Sequence, residues 1–138
     1  MPHITLEYSA NLKDEGDFKS LCGKLAKCLA EQRSDGKPVY PLGGIRVRAL
    51  EAADYAIADD SLDAAFVHAV FKIAPGRSEH VRQATGDALF DIIKAHFEPL
   101  YQRRGLALSM ELIEFSETGA WKHNNLHARL KKQDTQPT

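Results

Sequence analysis

Apolar and polar positions alternate from the start of the chain, with Ile4, Leu6 and Tyr8 set against His3, Thr5 and Glu7. A period of two predicts a half-buried strand, here Pro2 to Glu7. The period then changes. Phe18, Leu21, Cys22, Leu25 and Leu29 share one face of a helix. The loop Arg33-Ser34-Asp35-Gly36-Lys37-Pro38 stops that helix. After Pro41-Leu42-Gly43-Gly44, a second strand is predicted from Ile45 to Leu50, and the polar link Ala58 to Ser61 closes the first half.

The second half repeats the plan. Val67, Ala69, Phe71 and Ile73 alternate along a strand from Ala65 to Ile73. Pro75-Gly76-Arg77-Ser78 turns the chain into a helix, with Ser78 suited to the N-cap and Glu79 to the positive helix start. Val81, Ala84, Ala88, Leu89, Ile92, Ile93, Phe97 and Leu100 line its apolar face; Gly105 ends it, and a last strand covers Leu106 to Phe115. The halves align in pattern: Ile4 with Val67, Leu25 with Ala88, Gly23 with Gly86, Val47 with Met110. Two β-α-β units follow, over residues 2–52 and 65–117, each with parallel strands joined by a helix. The predicted fold is α+β built from α/β-type repeats: a four-stranded mixed sheet with two helices on one face. Its other face is left open, which predicts a symmetric oligomer. Residues 2–131 form one domain in this reading, and 132–138 a disordered tail.

Composition narrows the picture without naming a chemistry. The chain has 138 residues, 43% hydrophobic and 27% charged, values of an ordinary globular domain. A net charge of -1 gives no basic surplus for nucleic acid. No apolar run is long enough for a membrane span, and no secretory leader is read at the start. Cys22 and Cys28, six apart in a predicted helix, cannot bridge each other there and read as reduced thiols of a cytoplasmic protein. His123 and His127 lie four apart but lack an evident third ligand, so no metal is expected. His68, on a strand, reads as packed or hydrogen-bonded. No phosphate-binding glycine motif is present, so nothing in the sequence supports nucleotide binding.

The halves differ where chemistry could sit. Pro2 aligns with Ala65, and Arg46 and Arg48 align with Ser109 and Glu111. One site per chain follows. A proline after Met1 predicts removal of Met1, which frees a secondary amine. Buried beside positive charge, that amine becomes a neutral base near pH 7; with Met1 attached its nitrogen is an amide and no base. Arg46 and Arg48, two apart on a strand, point to one face and need an anion between them or a carboxylate partner such as Glu111 or Glu114. Arg77, just before a helix start, can join the free backbone N–H groups in holding a carboxylate.

The order of these segments resembles the tautomerase superfamily, which carries a terminal proline, a Gly-Arg-Ser turn and a strand arginine. Here they are Pro2, Gly76-Arg77-Ser78 and Ile45-Arg46-Val47. Pro41 to Arg48, Ala65-Phe66-Val67-His68, Lys72 to Ser78, Leu106-Ala107-Leu108-Ser109 and the Trp121 to His127 segment narrow the resemblance to the 5-carboxymethyl-2-hydroxymuconate isomerase family.

That resemblance implies a homotrimer and a cofactor-free isomerase of a 2-hydroxymuconate-type dicarboxylate from aromatic-compound breakdown. Pro2 would be the general base, and Arg46 would polarise the 2-oxo oxygen. Arg77 would bind the distant carboxylate, with Arg48 assisting in substrate binding. Phe66, Tyr40 and Trp121 are candidates for the apolar wall. A hydratase or dehalogenase of small unsaturated acids, and a non-enzymatic trimeric binding or signalling protein, remain open on the same scaffold.

Overall fold

A computed structural model, which describes residues 1–135, forms strands at each segment of period two. The strands are β1 (His3–Ser9), β4 (Arg46–Ala52), β5 (Ala64–Ile73) and β6 (Gly105–Glu114), in the sheet order β4-β1-β5-β6. β1 runs parallel to β4, and β5 runs parallel to β6. β1 and β5 pair antiparallel, so the two β-α-β units stand back to back. The sheet is mixed and four-stranded, as the duplicated pattern predicts.

Helices α1 (Phe18–Glu31) and α2 (Glu79–Tyr101) place their apolar faces in the core. Ile4, Leu6, Val67, Ala69, Phe71 and Ile73 of the strands meet Leu21, Leu25 and Leu29 of α1 and Leu89, Ile93 and Phe97 of α2. Ser78 caps α2 as expected, its side chain accepting from the Val81 N–H at 3.2 Å. Gly76 has φ +115°, a conformation that suits glycine alone, so the turn into α2 depends on it.

Two elements differ from the reading of the pattern. The Arg33 to Pro38 loop contains a small hairpin, β2 (Arg33–Ser34) and β3 (Lys37–Pro38). Asp35 and Gly36 both take positive φ, 52° and 76°, as a two-residue hairpin turn demands. A third helix, α3 (Leu126–Thr135), adds to the two expected. It carries helical structure four residues into the span read as a disordered tail; residues 136–138 of that span lie outside the described residues. The Asn124 side chain accepts from the Leu126 N–H at 3.0 Å and starts the helix. Gly105, read as the end of α2, instead opens β6, because α2 already stops at Tyr101.

Candidate active site

The parallel register of β1 and β4 sets His3 beside Arg46. One backbone bond fixes the pair: the Arg46 N–H donates to the Pro2 carbonyl at 3.0 Å. Pro2 itself is buried. Beneath the chain start runs Gly44, where an added Cβ would lie 3.3 Å from the Met1 Cα and 3.5 Å from the Pro2 Cδ. Gly43 is tighter still, since a Cβ there would meet the His127 Nδ1 at 2.8 Å and its backbone N at 2.9 Å. The paired glycines let the Leu42–Gly44 turn pass between the N-terminus and α3.

A cleft of about 630 Å³ opens at this point. Met1, His3 and Arg46 form one side, Ala74 and Pro75 another, and the segment from Phe115 to Asn124 the rest. Phe115 is tethered by its N–H to the Ile73 carbonyl at 2.8 Å, and Lys72 lies over its ring at 5.2 Å. Trp121 lines the cleft with 89% of its surface in solvent. A second cleft of about 620 Å³, between α2 and β6, holds Arg82, but Glu114 neutralises that residue at 3.0 Å.

The arginines are not equivalent. Arg46 lines the cleft and is braced by the carbonyls of Gly43 at 2.8 Å and Ile45 at 3.1 Å. Arg77 donates to the Ala74 carbonyl and, across the two units, to the Val39 carbonyl, both at 3.2 Å. Its guanidinium lies 4.6 Å from the centre of the Tyr40 ring. Tyr40 is buried and donates to Thr85 at 2.9 Å, so Arg77 rests on a rigid platform. Arg48 turns to His3, with Nη1 3.2 Å from Nδ1.

The α-amine of Met1 sits where processing would put the Pro2 amine within a residue's reach. Burial lowers its pKa first, and Arg77, Lys122 and Arg46 then lower it further. The same surroundings that weaken an ammonium here would make a secondary amine a neutral base. His3 is also pushed below its ordinary value, by burial and then by Arg48, Arg46, the N-terminal amine and Lys72. The site is therefore an electropositive, partly apolar cleft suited to an anion.

Of the expected site residues, Arg46 lines the cleft, while Pro2 is buried behind Met1 and Arg77 lies outside the lining with its charge acting on the Met1 amine; other expectations need correction. Arg48 has no carboxylate partner in Glu111 or Glu114, because β4 and β6 are opposite edges of the sheet. Glu111 instead lies 3.7 Å from His68, whose Nδ1 is 2.7 Å from the Ser109 hydroxyl. Of the aromatic candidates, only Trp121 lines the cleft. Tyr40 lies under Arg77, and Phe66 sits at the other end of β5, near Tyr55. The sequence reading missed His3, Phe115 and Lys122. The signal for His3 was its place beside Pro2 on a face shared with Arg46. His127 lies in α3 and His123 before it, and among the described residues no three His, Cys, Asp or Glu side chains gather to hold a metal.

Two back-to-back β-α-β units form a fold that a fused 4-OT symmetric trimer shares at TM-score 0.59 and 16% identity, covering 92% of this chain and 98% of its own. Nearer relatives narrow the class. The model of the 5-carboxymethyl-2-hydroxymuconate isomerase family matches residues 2–130. The Escherichia coli 5-carboxymethyl-2-hydroxymuconate Delta-isomerase is 40% identical over 131 residues, 95% of this chain and 100% of that protein. A 5-carboxymethyl-2-hydroxymuconate isomerase from Deinococcus radiodurans R1 superposes with TM-score 0.85 at 48% identity, covering 94% of this chain and 93% of that one. The chain belongs to the 5-carboxymethyl-2-hydroxymuconate isomerase family.

Proposed function

We propose that this protein is a cofactor-independent isomerase of 5-carboxymethyl-2-hydroxymuconate, a tricarboxylate, or of a similar 2-hydroxymuconate-type dicarboxylate. The observation that carries the reading is the chain start, half-buried in the wall of a cleft that Arg46 also lines and within the influence of the Arg77 charge. Family membership and the named activities of the Escherichia coli and Deinococcus radiodurans relatives support it.

In the mechanism, Met1 is removed and the Pro2 nitrogen is a neutral secondary amine. It takes the proton of the 2-hydroxyl group, leaving a dienolate whose charge sits on the 2-oxygen and spreads along the conjugated chain. The resulting ammonium returns the proton to a distant carbon, and the 2-oxygen becomes a ketone. A base with a pKa near ambient pH can do both steps. Arg46 faces the 2-oxygen and the neighbouring carboxylate and stabilises the dienolate as it forms. Arg77 attracts the carboxylate at the other end and, with Lys122 and burial, keeps the amine neutral. Phe115, Pro75 and Trp121 supply apolar wall that strengthens these charge interactions.

A homotrimer completes the proposal. The sheet face away from α1 and α2 carries Leu50, 50% exposed, on the edge strand β4 and Ile113, 38% exposed, on the edge strand β6. Edge strands and an uncovered face favour a partner copy. A cytoplasmic location fits two free thiols, and no helix among the described residues is long and apolar enough to cross a membrane.

The direct test is ketonisation of 5-carboxymethyl-2-hydroxymuconate and of 2-hydroxymuconate, followed by ultraviolet absorbance. The sample must be shown by mass to begin at Pro2. Turnover of either acid is expected. Absence of turnover with both would reject the isomerase reading.

A further inference from the structure

His3 has a protonation pattern that its neighbour dictates. The Arg48 guanidinium is 3.2 Å from the His3 Nδ1. A guanidinium only donates, and it keeps its protons at every pH of interest. The His3 Nδ1 must therefore accept, and the ring proton of the neutral imidazole sits on Nε2. Nε2 lies across the ring from Arg48, and His3 lines the cleft. The charges that act on the ring are positive, Arg48 and Arg46 from β4, the N-terminal amine and Lys72 from β5, while Glu117 is a carboxylate that lines the same cleft. Phe115 meets the ring edge-on at 5.7 Å and holds its plane. A second proton would place an N–H against Arg48 and add charge to this cluster, so the neutral ring is the favoured form.

Register gives the donor a target. His3 and Arg46 are paired residues of adjacent parallel strands and point to the same face. An oxygen reached by the Arg46 guanidinium is within the range of a donor one strand away.

We propose that His3 is a substrate-binding residue of this site. Locked in its Nε2–H tautomer by Arg48, it donates a hydrogen bond to the substrate oxygen that Arg46 faces. Arg48 is then its positioning residue and does not touch the substrate. The proposal rests on the isomerase reading of the cleft and assigns a neutral donor to the oxygen that gains charge in the dienolate. A neutral donor stabilises that oxygen without adding a further cation next to the Pro2 amine.

The experiment has a kinetic arm and a spectroscopic arm, both on protein that begins at Pro2. His3→Phe keeps a ring against Phe115 and removes the donor; His3→Gln keeps an amide N–H near the position of Nε2. The expected fall in kcat/KM for His3→Phe is at least about 10-fold, mostly in kcat, as for loss of a donor to a developing oxyanion. His3→Gln is expected to stay within about threefold of the parent, since it retains that donor. Arg48→Met should fall between them, and adding Arg48→Met to His3→Phe should cost nothing further, because one residue acts through the other. In 15N-histidine spectra His3 should show the Nε2–H tautomer at neutral pH, and 2-oxoadipate, a saturated 2-oxo dicarboxylate, should shift its signal. Wild-type kinetics in His3→Phe, additive losses in the double variant, an Nδ1–H tautomer or a signal indifferent to 2-oxoadipate would each overturn the proposal. A parent protein that turns over neither muconate removes the isomerase reading instead, and the spectra still decide whether His3 binds the 2-oxo acid.

Discussion

Pro2 and its charged neighbours make the chemistry depend on one nitrogen. A positioned general base contributes about 10²- to 10⁴-fold, so Pro2→Ala, which exchanges a secondary for a primary amine and shifts the chain start, should lower kcat/KM within that range. Circular dichroism should be unchanged. The Met1 amine pKa is lowered by burial, Arg77, Lys122 and Arg46, in that order, and a Pro2 amine freed one residue away would meet the same cations. The acid limb of the kcat/KM profile should therefore lie below the ordinary α-amino value of about 8, with activity lost as pH falls through it. Arg77→Met removes one cation, raises the amine pKa and moves that limb to higher pH. An unmoved limb would show that the titrating group is not this amine. Arg46→Gln should cost about 10²- to 10³-fold in kcat, roughly 3 kcal/mol, as other oxyanion donors do.

The residues with a local reason were readable. Arg46 and Arg77 belong to a strand and a turn whose geometry follows from adjacent residues. The role of Arg48 was not, because its partner depends on which strand lies beside β4. Two arginines on one face called for an anion or a carboxylate partner, yet the topology puts β1 there and offers His3 to Arg48. Tyr40 was read as wall and is a platform, because the fold buries it beneath Arg77.

At the scale of elements, β1, β4, β5 and β6 and helices α1 and α2 follow from period, since each turns one apolar face to the core, fully buried in β1 and β5 and half-buried in the edge strands β4 and β6. The α3 helix did not, because its placement comes from a distant contact: His127 lies against Gly43 with no room for a side chain. Gly43→Ala should thus push α3 and the Phe115 to Asn124 wall away from the cleft, raising KM more than it lowers kcat. Equal KM values in the two proteins would show that the wall tolerates the displacement. Gly23 offers the opposite case. It is exposed in the interior of α1, and an added Cβ would meet nothing within 4 Å. Gly23→Ala should stabilise the fold by about 0.5–1 kcal/mol through helix propensity. Denaturant unfolding should show a higher midpoint with activity unchanged.

At the scale of the whole molecule, duplication explains why one site suffices. The two units supply a common sheet, but the proline and Arg46 come from the first and Arg77 from the second. Arg77 reaches back to the Val39 carbonyl and the Tyr40 ring, so the site exists only where both units meet. The pattern of the halves made the sheet legible, including its uncovered face. It could not say that β1 and β5 pair antiparallel at the centre, which is a matter of how the units dock. The proposed trimer predicts a light-scattering mass of three chains. Leu50→Glu, on the open face, should shift that mass toward the single chain.

Processing of the chain start offers the sharpest test, because it turns the proposed base from an amide into a free amine and clears Met1 from the cleft it lines. Two preparations of the same sequence, one verified by mass to begin at Pro2 and the other retaining Met1, are compared for kcat/KM with 5-carboxymethyl-2-hydroxymuconate. In the first the Pro2 nitrogen is a free amine, and rapid ketonisation is expected. In the second it is an amide, and the rate should fall by at least about 100-fold, the contribution of a general base. Equal rates in the two preparations would contradict a mechanism centred on Pro2.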